Sequence, residues 1–183
     1  MRIEDIIYFS PNLRLEELAI DNKGMLLQAF KERIESYYFE PIDILVDNKQ
    51  AFASGALQCI LIDAFARYRQ AKNGVKIRFV EWCEHYLELD NEIATEFYEF
   101  FRCGLLHETH IKKFGQFSFD DPFRRPVQKI SQFIIVNPIH LSLRLKSYFQ
   151  QFIQDLETDD ALYGLFISRI NVDFKDEVEK ARQ

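Results

Sequence analysis

The chain has 183 residues, 48% of them hydrophobic and 15% aromatic, and carries a net charge of −6 at pH 7. That is enough apolar chain for one packed core, and the acidic balance excludes a broad, sequence-blind nucleic-acid binder. Three widely spaced cysteines, Cys59, Cys83 and Cys103, argue against a disulfide framework and predict a reducing cytoplasm.

Ser10-Pro11 predicts a short N-terminal helix over 10–18, and a second short helix is expected over 25–38. Ala53, Leu57, Ile60, Leu61, Ala64, Phe65 and Tyr68 recur at the spacing of one helical face. A further short helix is expected over 79–87. Ile93, Phe97, Phe100, Phe101 and Leu105 repeat the helical pattern. The next segment reads differently. Phe117 and Phe119 alternate within 116–120, residues 130–136 form a β-branched run, and Asp121-Pro122 and Arg125-Pro126 break any helix between them. Leu141, Leu145, Tyr148, Phe149, Phe152 and Leu156 then form a clean helical stripe, opened by the cap-type Asn137-Pro138. Leu162, Phe166, Ile170, Phe174 and Val178 form a closing helix behind Asp159 and Asp160. The expectation is an all-α fold, a single helical-bundle domain over 1–183 with a small β-hairpin insertion.

The segment Phe100-Phe101-Arg102-Cys103-Gly104-Leu105-Leu106-His107-Glu108 places an arginine and a histidine five residues apart at the end of an apolar helical pattern. A guanidinium can hold developing phosphate charge, and an imidazole can move a proton near neutral pH. Residues 102–129 also hold the chain's one basic stretch, with Arg102, Lys112, Lys113, Arg124, Arg125 and Lys129 set against Glu108, Asp120 and Asp121. The segment resembles the Arg-x4–6-His motif of the HEPN superfamily (higher eukaryotes and prokaryotes nucleotide-binding), many of whose members are ribonucleases. Arg78 and His85 satisfy the same spacing. They open a short helix beside Glu81 and Glu84, whose charge repels phosphate, so they read as a solvated decoy.

The resemblance implies metal-independent endoribonuclease activity by 2′-hydroxyl attack, leaving 2′,3′-cyclic phosphate ends. Arg102 would bind the phosphate and His107 would transfer the proton. Cys103, His110, Lys112 and Lys113 are the residues expected to contact RNA, although the family usually has a polar residue where Cys103 stands. Residues five apart on a regular helix point about 140° away from each other, so the helix must end or distort near Gly104, or a second protomer must complete the site. The resemblance implies the second arrangement, because family members dimerise with the motifs of two protomers meeting at the interface. A homodimer with a composite site is expected, and the aromatic surplus suggests apolar surface for such a partner. Family members commonly act as toxins or phage-defence effectors, which implies an antitoxin protein as a further partner.

Two other readings belong to different classes. One is a catalytically silent HEPN-type binding or dimerisation module, and the other is an unrelated helical interaction protein. Without the resemblance, Arg102 reads as a helix-end arginine paired with an acid such as Glu99. No cofactor is expected, since glycine-rich phosphate loops are absent. Cys103, His107 and His110 lack the paired-cysteine knuckle of a zinc site, so no metal is expected either. No apolar run reaches the ~20 residues of a membrane helix, and the opening residues carry no export signal.

Overall fold

The computed structural model describes residues 2–3, 6–70, 74–120 and 125–181. The expected break at Asp121-Pro122, Arg124 and the side chain of Val178 lie outside what is described. The fold is mainly α-helical with two small sheets. Contacts group the chain into two compact units, one from the residues up to Pro41 with those from Gln151 on, the other from Ile42–Gln150.

In the first unit, β1 (Arg2–Ile3), β2 (Ile6–Ser10) and β3 (Leu13–Arg14) form an antiparallel sheet in that order. This corrects the helix expected over 10–18. Ile6-Ile7-Tyr8-Phe9 is a β-branched and aromatic run suited to a strand, Pro11-Asn12 supplies the turn, and only Leu15–Glu17 makes a single 3-10 turn. Phe9 is fully buried and meets Phe174 edge-on at 5.2 Å.

Helix α1 (Lys23–Ile34) starts at Asn22, whose side chain accepts from the Met25 amide. It runs through a π-helical turn, Glu35–Phe39, into α2 (Glu40–Asp47). Pro41 explains the wide turn, because proline has no amide to donate and its ring crowds the preceding turn. The core of this unit joins Phe30 to Phe166 at 4.9 Å and Phe166 to Phe152 at 6.4 Å.

The second unit is built on α3 (Ala51–Arg69), α4 (Val75–Tyr86) and α5 (Asn91–Phe97). Phe65 of α3 stacks on Phe149 at 5.6 Å, and Trp82 of α4 meets Tyr148 at 4.8 Å. Both partners lie on α6 (Pro138–Thr158), where every residue of the predicted stripe is buried. Asn137 caps this helix by accepting from the Ile139 and His140 amides. The closing helix α7 (Asp160–Ala181) is capped in the same way by Asp159. Helix α3 is turned relative to its predicted stripe. It buries Ser54, Gly55, Gln58, Cys59, Leu61, Ile62, Phe65 and Ala66, which leaves Ala53 exposed and Ile60 and Ala64 half-buried.

The β segment is a three-stranded sheet of β4 (Gly115–Phe117), β5 (Val127–Ile130) and β6 (Phe133–Val136), in the order β4-β6-β5. The two segments expected to face each other as a hairpin instead pair in parallel, Gln116 opposite Ile135. The antiparallel partner of β6 is β5, which the sequence left unassigned. Its two-residue loop places Ser131 at φ 54°, the left-handed conformation that tight hairpin turns use. The aromatic surplus is spent mostly inside the protein, with Phe65, Phe79, Phe97 and Phe101 fully buried, while Phe52, Phe114 and Phe133 remain exposed.

Candidate functional site

The motif does not sit on a regular α-helix. After α5 the chain takes two π-helical turns, Tyr98–Arg102 and Gly104–Glu108. Bonding from i to i+5 stacks residues five apart nearly above one another. Arg102 and His107 therefore share a face, with Arg102 Nη1 2.7 Å from His107 Nε2. The expected helical distortion exists within one chain, and no second protomer is needed to bring the pair together.

Two packing features hold the segment in this form. Phe101 is fully buried between Phe97 at 5.6 Å and Phe117 of β4 at 5.2 Å. At the other side, Thr109 ends the helix in the left-handed region at φ 60° and the chain folds back. The Lys112 amide reaches the Phe100 carbonyl at 3.0 Å, and the His110 amide approaches the Gly104 carbonyl at 3.3 Å. A Cβ at Gly104 would overlap the His110 carbonyl oxygen, so glycine is required here by close backbone approach.

Arg102 is clamped on several sides. Its Nε and Nη2 both donate to Asp63 Oδ2 of α3, at 2.8 and 2.7 Å. Its guanidinium also lies over the Tyr98 ring, 5.6 Å from the centroid. Asp63 replaces the Glu99 partner suggested by helical spacing; Glu99 is taken by Lys76 at 2.7 Å. Burial pushes the Asp63 carboxyl above the usual range, with the Arg102 hydrogen bond and charge pulling it down and Arg78 adding to that pull. Burial alone would lower the Arg102 pKa, but the Asp63 hydrogen bond and charge raise it. The guanidinium thus stays charged, while Asp63, one oxygen of which has no hydrogen-bond partner among the described residues, bears the cost of the shared burial. Arginine cannot accept a hydrogen bond, so in this contact His107 Nε2 is the acceptor and the ring is neutral with its proton on Nδ1.

The remaining motif residues are placed less centrally. Cys103 is half-buried, and burial pushes the Tyr98 phenol up, with the neighbouring Cys103 adding to the rise. His110 is exposed, with Nδ1 2.9 Å from the Glu108 carbonyl. Lys112 pairs with Glu108, and the Lys113 ammonium stands 5.1 Å from the Phe100 ring centroid. No group of three or more side chains suited to a metal ion occurs among the described residues. No helix there is long and apolar enough to cross a membrane.

Arg102 opens into a pocket of about 360 Å³ lined by Ile60, Asp63, Ala64, Arg67, Val75, Arg78 and Arg102. This corrects the reading of Arg78 as solvated. Arg78 is half-buried on the pocket wall, while His85 is exposed against Tyr86 at 4.5 Å. Asp63 and Arg67 were missed by the sequence reading, and Arg78 was named there only as part of the decoy. The available signal was the i, i+4 pair Asp63 and Arg67 within the helix. A larger cleft of about 520 Å³, lined by residues including Asp90, Lys129 and Arg144, contains neither Arg102 nor His107. No protein-family model, curated protein or solved structure matches this chain.

Proposed function

We propose that the protein is a metal-independent endoribonuclease of HEPN type. The observation carrying the proposal is the contact of Arg102 with the exposed His107 on a π-helical segment, with Asp63 fixing the guanidinium from behind. π-Helical turns are rare and occur frequently at functional sites. A phosphate arriving at Arg102 competes for its Nη1 donor and frees His107 Nε2. That nitrogen then accepts the proton of the ribose 2′-hydroxyl as the 2′-oxygen bonds to phosphorus and the bond to the 5′-oxygen breaks. Arg102 offsets the negative charge gathered in the transition state. The departing 5′-oxygen takes a proton from solvent water and His107 returns the proton it accepted to solvent, leaving a 2′,3′-cyclic phosphate and a 5′-hydroxyl. Homodimerisation, a cytoplasmic setting and a role as a toxin or defence effector restrained by an antitoxin belong to the same proposal.

A second reading is a catalytically silent binding or dimerisation module of the same type. It is favoured by the Arg102 side chain being only 14% exposed and already paired with Asp63. Incubation of the wild type and His107→Ala with a structured RNA pool in excess EDTA, followed by end-group analysis, separates the two. Cleavage by the wild type alone, with cyclic phosphate ends, is the expected result. Equal end products from both proteins would remove His107 from the chemistry, and no cleavage by the wild type would favour the silent module.

A further inference from the structure

We propose that the pocket beside Arg102 is a second phosphate subsite, in which Arg67 and Arg78 hold the backbone phosphate adjacent to the one being cut. The inference rests on the ribonuclease reading and names how that site engages its strand. The pocket lining brings three guanidinium groups together around one cavity in a chain whose net charge is −6. Arg67 comes from α3 and Arg78 from α4, so the charges stand on walls supplied by different helices.

Ile60, Ala64 and Val75 supply the apolar part of the lining. The predicted stripe of α3 turned Ile60 and Ala64 toward the core, yet both stay half-buried at this pocket. An apolar wall under a charged rim suits a nucleotide, whose sugar and base lie on the wall while its phosphate meets arginine. The volume of about 360 Å³ falls within the range of small-ligand sites, about 300–1,000 Å³. Arg102 belongs to both the pocket and the His107 contact, so a strand that fills the pocket is led directly to the proposed cleavage point.

The probe is a fluorescent 2′-O-methyl RNA hexamer, which lacks the attacking hydroxyl and cannot be cut. Its affinity is measured across salt concentrations for wild type, Arg67→Gln, Arg78→Gln, the double glutamine variant and Arg67→Lys/Arg78→Lys. The double glutamine variant is expected to bind roughly tenfold or more weakly, from loss of charge-assisted contacts. Its plot of log affinity against log salt should flatten by about 0.7 per lost phosphate contact. The double lysine variant keeps the charge and should keep the slope. The single glutamine variants, each expected to show part of the loss, give the answer where the double variant does not fold. Wild-type affinity and slope in the glutamine variants, or no binding by the wild type, would overturn the subsite. Ordinary RNA is offered to the same proteins in EDTA. Cleavage with unchanged hexamer binding overturns the subsite alone. Arginine-dependent binding without cleavage upholds the subsite and overturns the ribonuclease.

Discussion

Replacing Arg102 by alanine is expected to cost stability as well as activity. The side chains of Arg102 and Asp63 are 14% and 20% exposed, and Asp63 Oδ1 has no hydrogen-bond partner among the described residues. Compensation for the buried carboxylate therefore rests on Oδ2 and its two contacts with Arg102. Breaking a buried ion pair from one side costs about 3–5 kcal/mol, and the residual exposure here reduces the expected loss to about 2–3 kcal/mol. Adding Asp63→Asn removes the stranded charge and should recover about 1–2 kcal/mol of it, because a neutral amide is cheaper to bury than an unpaired carboxylate. Activity should stay absent in both variants, since neither presents a cation to the phosphate being cut. Urea unfolding followed by the fluorescence of Trp82, the single tryptophan and fully buried, measures the first quantity, and RNA cleavage in EDTA measures the second. A single variant as stable as the wild type would refute the burial argument. Cleavage by the stable double variant would refute the role of Arg102.

Asp63→Asn alone should gain on the wild type as pH rises. Burial raises the folded pKa of Asp63, so its contribution is fully present below the unfolded value of about 3.9 and is lost as pH rises through the folded value. Urea midpoints at about pH 4 and pH 7 test this sign, and a constant difference between the two proteins would contradict it. Gly104→Ala should be destabilising by about 1–2 kcal/mol, because overlap with the His110 carbonyl costs about 1–3 kcal/mol and helix propensity returns at most about 1 kcal/mol. Cleavage should fall with it as the 104–108 turn shifts; a variant more stable than wild type and fully active would show that the close approach is unimportant. In the native protein Cys103 should react with a thiol reagent while Cys59 and Cys83 do not. Both of the latter are fully buried, and burial pushes their thiols up. Thiol titration before and after unfolding checks the count, and native labelling of all three would contradict the packing around α3 and α4.

Local patterns in the sequence determined the helices that carry strong signals. Asn137-Pro138 and Asp159 start α6 and α7 because their side chains satisfy the first free amides, and the α6 stripe is buried throughout. The pairing of Arg102 with His107 was legible as a spacing and, through Gly104, as a need for distortion. Tertiary structure decided the rest. The form of that distortion depends on Phe101 being held between Phe97 and Phe117 and on the chain returning over Gly104, contacts between segments that no local pattern contains. The parallel pairing of β4 with β6 was equally hidden, since alternation marks a strand but not its neighbour. Asp63 reaches Arg102 from α3, and Arg67 of α3 and Arg78 of α4 line the same pocket. Their convergence, and the sharing of buried charge between Asp63 and Arg102, is a property of how α3 and α4 pack beside the π-helical segment, because electrostatic coupling follows distance in space rather than along the chain.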